Sequence, residues 1–317
     1  MLILDEAAVA RNLSPAETLG LMRDALVACA RGGAYGPLRS VTAMPAGWFA
    51  TMPATIQSEG QRALGAKLVS AFPGNAERGL PTHQATIAMF DPHTGRMIAL
   101  VAGAHITELR TAAVSVIATQ ALAHEPRGVH AILGAGVQGH SHLEAFAQAR
   151  LITELRVWSR TPHHGLALVR RAVELGIAAS FCNRPDEAVQ DAAVITTTSG
   201  SPEPLFDARA VAESAHVNAV GACVPSRREL PGRLIARATI VVDSREAALV
   251  ESGDLLLAAR DGLFTPSRIA AELGDILANN TAFERRAGPT VFISLGLGIE
   301  DVACAAFVLG KVSLEKS

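Results

Sequence analysis

A mostly apolar run of strand length that leads into three glycines constrains this chain more than any other stretch. Residues 129–133 form the run, and Gly134, Gly136 and Gly139 follow in G-x-G-x-x-G spacing, before a helical pattern at 140–150. A strand, a glycine turn and a helix in this order are typical of dinucleotide-binding sites. The first glycine permits the tight turn, the second lets the backbone approach a pyrophosphate, and the third lets the helix pack closely on the strand. A glycine-rich turn in a plain α/β sheet is the alternative.

Composition narrows the class of protein. The 317 residues are enough for one large or two medium domains. The net charge is -2 and no basic run of five occurs, which argues against a nucleic-acid partner or a polybasic membrane surface. No apolar stretch reaches the roughly 18 residues of a membrane helix, and no signal peptide is visible. Four scattered cysteines without C-x-x-C spacing predict a reduced, cytoplasmic protein with no structural zinc and no other metal site.

The patterns before and after residue 126 differ. Alternating segments within 36–72 and 84–101 predict antiparallel strands, and a long Ala-rich helix is predicted over 107–123. From residue 129 onward, strands and helices alternate, which is typical of a doubly wound parallel sheet. We therefore predict an α/β protein. Its Rossmann domain, a doubly wound parallel sheet, spans 126–298, and an α+β domain with antiparallel strands combines 1–125 with 299–317. The parallel strands are predicted at 129–134, 154–159, 178–182, 192–198, 214–221, 239–243 and 290–294.

The end of the second parallel strand bears on the choice of cofactor. NAD-binding units usually carry an acidic residue there, about 20 residues after the glycines, to bind the ribose hydroxyls. This chain has Ser159, Arg160 and Thr161 instead. Two hydroxyls and a guanidinium suit a 2′-phosphate, which predicts NADPH. NADH stays possible, because Arg160 as a solvated loop charge would leave NAD to bind through backbone contacts.

Three cationic side chains stand out in the first domain. Lys67 lies inside an apolar strand, Arg39 opens a strand, and Arg110 sits on the long helix. Taken alone, Lys67 is as consistent with a structural charge at a sheet edge as with a side chain in a cleft, and either arginine is more often a surface charge. Together they are suited to clamp a small carboxylate substrate next to a nicotinamide. A lone histidine such as His83 is more often structural than catalytic, and Cys223 has no evident histidine partner that would make it a nucleophile.

The chain resembles the ornithine cyclodeaminase/mu-crystallin family over essentially its whole length. The matching segments are 65–75, 79–91, 107–113, 134–139, 197–198, 221–230 and 298–301. The resemblance implies a homodimer whose antiparallel first domain supplies both the substrate pocket and the subunit contact.

The resemblance also implies roles for individual residues. Arg39, Lys67 and Arg110 match the cations that hold the substrate carboxylate, and we assign Lys67 the catalytic role. Met52 is counted among the side chains that set the pocket volume. Besides the three glycines, the implied dinucleotide contacts are Thr82, His83, Arg110, Ala135, Val137, Gln138, Ser159, Arg160, Thr161, Thr197, Thr198 and Ser294.

Two departures from the family pattern favour one subclass. Cys223 stands where cyclodeaminases carry an Asp, and a neutral thiol cannot replace a carboxylate that holds an ammonium or accepts a proton. The second strand also lacks the acidic residue of NAD-binding cyclodeaminases. Both departures favour the reductases of cyclic imines.

We therefore predict an enzyme of proline metabolism, an oxidoreductase that acts on a C=N bond. It would use NAD(P)H to reduce Δ1-pyrroline-2-carboxylate or Δ1-piperideine-2-carboxylate to L-proline or L-pipecolate. Two alternatives stay open. One is an ornithine cyclodeaminase or an alanine-dehydrogenase-like amino-acid dehydrogenase. The other is a non-catalytic protein that binds NADPH and a small ligand.

Overall fold

A computed structural model describes residues 1–58, 61–281 and 283–314. The chain divides into two compact units. One is Met1–Arg110 with Gly296–Ser317, and the other is Thr111–Leu295. The division falls between Arg110 and Thr111, inside the long helix at Ala104–Leu122, whereas the sequence analysis places the boundary after residue 125.

The strands and helices follow one another along the chain. The strands are β1 (Leu2–Leu4), β2 (Ala34–Tyr35), β3 (Ser40–Met44), β4 (Gly47–Ser58), β5 (Gln61–Ala71), β6 (His83–Phe90), β7 (Met97–Ala102), β8 (Gly128–Leu133), β9 (Ile152–Trp158), β10 (Ala178–Phe181), β11 (Val194–Thr197), β12 (His216–Ala219), β13 (Thr239–Val242), β14 (Ile269–Glu272) and β15 (Thr290–Ile293). The helices are α1 (Glu6–Asn12), α2 (Pro15–Ala30), α3 (Ala104–Leu122), α4 (Val137–Gln148), α5 (Pro162–Glu174), α6 (Pro185–Val189), α7 (Gly232–Arg237), α8 (Arg245–Glu251), α9 (Gly253–Arg260), α10 (Leu273–Leu277) and α11 (Gly298–Leu314).

The first unit is built on a mixed sheet. Among the described residues this sheet has seven strands in the order β1-β7-β6-β5-β4-β2, with β3 also paired to β4. Strands β2 to β7 pair antiparallel, as the alternating sequence predicts, whereas β1 lies parallel to β7. Helix α11 packs on β4, β5 and β6. It therefore covers one face of the sheet and brings residues from the end of the chain onto the central strands.

Local sequence explains where α2 begins. The side chain of Ser14 accepts a hydrogen bond from the backbone N–H of Glu17 at 3.3 Å, and the Glu17 carboxylate accepts one from the Ser14 N–H at 2.9 Å. This reciprocal pair satisfies two backbone donors that a helix start leaves without a partner. Pro15 occupies the first turn, where a missing N–H costs nothing.

The second unit is a parallel sheet of eight strands within the described ranges, in the order β10-β9-β8-β11-β12-β15-β13-β14. The predicted doubly wound parallel sheet is confirmed. Only β14 escaped the sequence analysis, because Ile269–Glu272 is a short edge strand without an apolar run. The strand order reverses between β8 and β11, and sheets of this kind bind ligands at the carboxyl ends of the strands that flank such a reversal. No helix in the described ranges combines the length and apolar character needed to cross a bilayer.

Candidate active site

Lys67 is a buried cation on the central strand of the first unit. It is 2% exposed, and its Nζ lies 2.7 Å from Oδ2 of Asp301, which is fully buried near the start of α11. Because β5 pairs with β4 in a register that sets Lys67 opposite Met52, both side chains share the face that α11 covers. Lys67 therefore points into the unit rather than along an exposed sheet edge.

Arg110 joins the same cluster from α3. Its Nη1 donates to Oε2 of Glu300 at 2.8 Å, and its Nε lies 3.4 Å from Oδ1 of Asp301. The guanidinium is nearly buried. Gly296 has a φ of 80°, and a Cβ built there would overlap the Arg110 guanidinium. A glycine is thus required next to Arg110 for both conformational and steric reasons.

Arg39 completes the set of predicted cations. It is half-buried, and its Nη2 donates to the carbonyl oxygen of Gly296 at 3.1 Å. The cluster thus contains three cationic side chains and the two carboxylates of Glu300 and Asp301. With every group ionised, the cluster carries one net positive charge, which matches a single carboxylate on a small ligand.

The pKa of Lys67 is tuned by its surroundings. Burial disfavours the ammonium and is the main reason that its pKa falls to about 8. The carboxylate of Asp301 opposes this fall, while the charges of Arg110 and Arg39 add to it. A lysine with a pKa near neutrality is suited to give or take a proton at physiological pH.

Thr82 and His83 lie apart from the cation cluster. The hydroxyl of Thr82 is 3.2 Å from Nδ1 of His83, and the His83 ring meets Trp48 edge-on. His83 begins β6 opposite Ala71, four residues along β5 from Lys67. At the strand rise, that separation is about 13 Å. The structure therefore does not group these two residues with Lys67.

The three glycines form the predicted turn in the second unit. Gly134 ends β8 with a φ of 114°, and a Cβ there would lie 2.7 Å from the backbone nitrogen of Ser199. A Cβ on Gly139 would overlap the carbonyl oxygen of Gly134, whereas a Cβ on Gly136 would meet nothing within 4 Å. Gly136 caps α4 without a side-chain partner. The turn thus leaves open space beside the positive end of a helix, where a phosphate group fits.

The other predicted cofactor residues of the second unit lie along the same carboxyl edge. Ser159, Arg160 and Thr161 follow β9, and the Arg160 side chain is exposed. The Thr198 hydroxyl donates to the Gly134 carbonyl at 2.9 Å. The remainder are buried Ala135, exposed Val137, half-buried Gln138, buried Thr197 at the end of β11 and buried Ser294 after β15. The edge therefore presents donors, a guanidinium and a glycine turn together, a set that fits a dinucleotide.

Sequence reasoning missed the carboxylates that hold these sites together. Glu300 and Asp301 pair with the cations of the first unit, and Glu229 binds the loops of the second. One signal was available for the first pair. Two acids sit within an otherwise apolar helical stretch after Gly298, and buried carboxylates are rarely left without a partner.

Comparison with known proteins finds relatives that match most of the chain. The chain is 40% identical over 288 residues to the ketimine reductase mu-crystallin of Rattus norvegicus, covering 90% of this chain and 88% of the relative. It is 36% identical over 254 residues to the Delta(1)-pyrroline-2-carboxylate reductase of Bacillus cereus, covering 79% and 78%. Among solved structures, the Delta(1)-pyrroline-2-carboxylate reductase of Thermococcus litoralis in complex with NADH and L-proline superposes with a TM-score of 0.94. That structure shares 31% identity and covers 100% of this chain and 98% of its own.

The model of the ornithine cyclodeaminase/mu-crystallin family matches residues 1–316 of the chain. The resemblance inferred from the sequence segments is thereby confirmed. The chain belongs to the ornithine cyclodeaminase/mu-crystallin family.

Proposed function

We propose that this protein reduces a small cyclic imino acid with NAD(P)H. The substrate would be Δ1-pyrroline-2-carboxylate or Δ1-piperideine-2-carboxylate, and the product L-proline or L-pipecolate. The observation that carries the proposal is the buried cluster of Lys67, Arg110, Glu300 and Asp301, which half-buried Arg39 joins. The five groups together carry one net positive charge, and the lysine has a pKa of about 8. Relatives named as ketimine and pyrroline-2-carboxylate reductases support the same activity.

The cluster suits the carboxylate of such a substrate. Arg39 is the most accessible of the three cations, whereas Glu300 and Asp301 already engage Arg110. We assign Arg39 and Arg110 to the substrate carboxylate, with Met52 lining the pocket beside Lys67. Because guanidinium groups bind carboxylates through two parallel hydrogen bonds, this arrangement also fixes the orientation of the ring.

Lys67 serves as the proton source. Its Nζ carries a proton below a pKa of about 8, and Asp301 keeps that ammonium charged inside the unit. A protonated imine is far more electrophilic than a neutral one. A proton held at Nζ therefore accelerates reduction by keeping the ring nitrogen in its iminium form. Fixing the substrate in one orientation adds to the rate.

The dinucleotide would lie along the carboxyl edge of the parallel sheet. The glycine turn and the start of α4 would hold the pyrophosphate, and the bound nicotinamide would supply a hydride to the C=N carbon. Ser159, Arg160 and Thr161 support a preference for NADPH, since their donors suit a 2′-phosphate. Thr82 and His83 would contribute further contacts to the cofactor.

The proposal includes a homodimer in the cytoplasm. The scattered cysteines support a reducing compartment. Strand β3 is exposed along its whole length, with Val41 at 55% and Met44 at 43% exposure, and exposed apolar side chains of this kind mark protein contacts. Light scattering should find a dimer that V41D weakens. The matched control V173D, at an exposed valine of α5, should leave the mass unchanged. A monomeric wild-type protein would contradict the dimer.

Loss of absorbance at 340 nm tests the activity. The protein is mixed with NADPH or NADH and with either imine, which gives four pairs. Oxidation with any pair supports imine reduction, and the four rates rank cofactor and ring size. No oxidation with all four pairs would contradict it. Ammonia release from ornithine with NAD would then identify a cyclodeaminase, and tight NADPH binding without turnover a binding protein.

A further inference from the structure

Glu229 is a fully buried carboxylate that binds two separate loops of the second unit. Its Oε1 accepts the backbone N–H of Ser199 at 2.5 Å, the Ser199 hydroxyl at 2.6 Å and the Gly200 N–H at 2.8 Å. Its Oε2 accepts the N–H of Gly221 at 2.9 Å, and the same N–H also donates to the carbonyl oxygen of Thr197 at 3.1 Å. Ser199 and Gly200 follow β11, and Gly221 follows β12. One side chain therefore holds the ends of two adjacent parallel strands.

The loop at Gly221 is shaped around this carboxylate. A Cβ on Gly221 would overlap both carboxylate oxygens of Glu229, so only glycine fits there. The position of Glu229 is itself fixed, because Oδ1 of buried Asp254 accepts the N–H groups of Glu229 and Leu230, each at 2.8 Å. Glu229 is thus held through its own backbone while its side chain binds both loops.

The same hydrogen bonds continue to the glycine turn. The Thr198 hydroxyl donates to the carbonyl of Gly134, and Thr198 directly precedes the Ser199 that Glu229 binds. The contacts thus run without a break from the end of β8 across β11 to β12. These three strands are adjacent in the sheet.

This edge is where the nicotinamide half of a dinucleotide would lie. In a doubly wound sheet the adenosine ribose lies at the end of the second strand, here β9, and the pyrophosphate at the first turn, here after β8. A dinucleotide that extends across these two points continues over β11 and β12. The loops that Glu229 binds therefore lie where the reacting ring would be held.

We propose that Glu229 is a positioning residue, which sets the orientation of the nicotinamide by locking the loops after β11 and β12 to each other. This inference rests on the proposed imine reduction for its kinetic readout. It assigns Glu229 no contact with substrate, cofactor or the transferred hydride.

The variant E229Q should break the side-chain link to the loop after β12 and keep the link to the loop after β11, with little change in the shape of the side chain. A glutamine oxygen can still accept the three donors from Ser199 and Gly200. Its amide group then faces the N–H of Gly221, so that one donor meets another and this bond is lost. The Gly221 N–H then keeps only the longer bond to the Thr197 carbonyl oxygen. The loop after β12 should loosen while the loop after β11 stays in place.

Kinetics with the NADPH and imine pair of highest wild-type rate test the proposal. A misplacement of about 1 Å costs about 100-fold in rate, so kcat of E229Q should fall by that order. The NADPH dissociation constant should stay near the wild-type value, because the glycine turn is intact. With NADPH deuterated at the transferred position, the isotope effect on kcat should rise, since hydride transfer becomes the slow step. The exposed carboxylate of Glu203 gives the matched control E203Q, which should match wild type.

A purely structural role would give a different result. If E229Q merely unfolds part of the population, titration with NADPH will find fewer sites, while kcat per site and the isotope effect stay unchanged. That result would overturn the proposal. The milder variant S199A removes one donor from an exposed residue and keeps two backbone bonds. It should show the same changes to a smaller degree, and a wild-type isotope effect in S199A would count against the proposal even if E229Q fails to fold.

Hydrogen exchange distinguishes failure of this inference from failure of the proposed activity. In E229Q, amides in a peptide covering 214–224 should exchange faster than in wild type, while a peptide covering 195–203 should not change. This measurement needs no substrate. An inactive wild-type protein would refute imine reduction alone, whereas unchanged exchange at 214–224 would refute the role of Glu229.

Discussion

The ion pair between Lys67 and Asp301 gives the sharpest prediction about the active site. In D301N an amide of the same shape replaces the carboxylate that lies 2.7 Å from the lysine Nζ. A neighbouring opposite charge shifts a pKa by about 1–3, so the pKa of Lys67 should fall from about 8 by that amount. With a fall of about 2, the charged fraction of Lys67 at pH 7 drops from about nine-tenths to about one-tenth. We therefore expect kcat/KM at pH 7 to fall about tenfold.

The pH profile of kcat/KM measures this directly. The alkaline limb should move to lower pH in D301N, and most of the lost activity should return near pH 5.5, where Lys67 is charged again. The titration of the imine itself affects both enzymes equally, so the difference between the two profiles belongs to the protein. The control E17Q removes another lysine–carboxylate pair, between Glu17 and Lys311 on the surface of the same unit, and should leave the limb in place.

The pH dependence of the free energy of unfolding of D301N provides a second test of this ion pair. The folded-state pKa of Lys67 lies below its unfolded value of 10.5, so burial of the lysine costs stability once the unfolded chain binds the extra proton. Lowering that pKa by a further 2 costs about 2 kcal/mol at pH 6 and about 3 kcal/mol below pH 5, and this cost vanishes as the pH rises above about 8. An alkaline limb that stays near pH 8 in D301N, with stability equal to wild type at pH 6, would refute the coupling of the two residues.

Three further predictions address the second unit. G139A should lower the melting temperature, because its Cβ would overlap the Gly134 carbonyl. G136A should melt like wild type yet bind NADPH more weakly. Equal melting temperatures in the two variants would contradict the proposed turn. R160A should weaken NADPH binding about 10- to 100-fold, the loss expected for hydrogen bonds to a charged phosphate, with little change for NADH, and equal losses for both cofactors would contradict the 2′-phosphate assignment. Buried histidines whose pKa values are lowered to about 3–4 by burial should cost about 2 kcal/mol each between pH 7 and pH 5, because only the unfolded chain is protonated there, and a flat free energy of unfolding by urea would contradict this. These histidines are His130, His142 and His216.

Much of the fold was predictable because its signals are local. The glycine spacing, the capping pair at Ser14 and Glu17, and the alternation of strands and helices after residue 129 all depend on neighbours in sequence. The family was predictable for the same reason, since several short segments matched in order. The sequence analysis missed edge strand β14, because a strand of only four residues is too short to show an apolar pattern of its own.

The active-site partners were not predictable in the same way. The sequence alone did not decide whether Lys67 is structural or functional, because the alternation of residues along a strand does not show which of its two faces lines a site. Its burial follows from α11, which arrives from the far end of the chain. Arg110 and Glu300 are 190 positions apart, so nothing local indicates their contact. Glu229 lay within a segment that matched the family, yet its role depends on two loops that only the folded sheet brings together.

The central claim is that this protein transfers a hydride to the C=N carbon of a cyclic imino acid. The most direct measurement incubates the protein with Δ1-pyrroline-2-carboxylate and NADPH deuterated at the transferred position, and then analyses the product by mass spectrometry and NMR. We predict L-proline with one deuterium at its α-carbon for each NADPH oxidised. Oxidised NADPH without deuterium in proline would contradict the account, as would the absence of both proline from the five-membered imine and pipecolate from the six-membered imine.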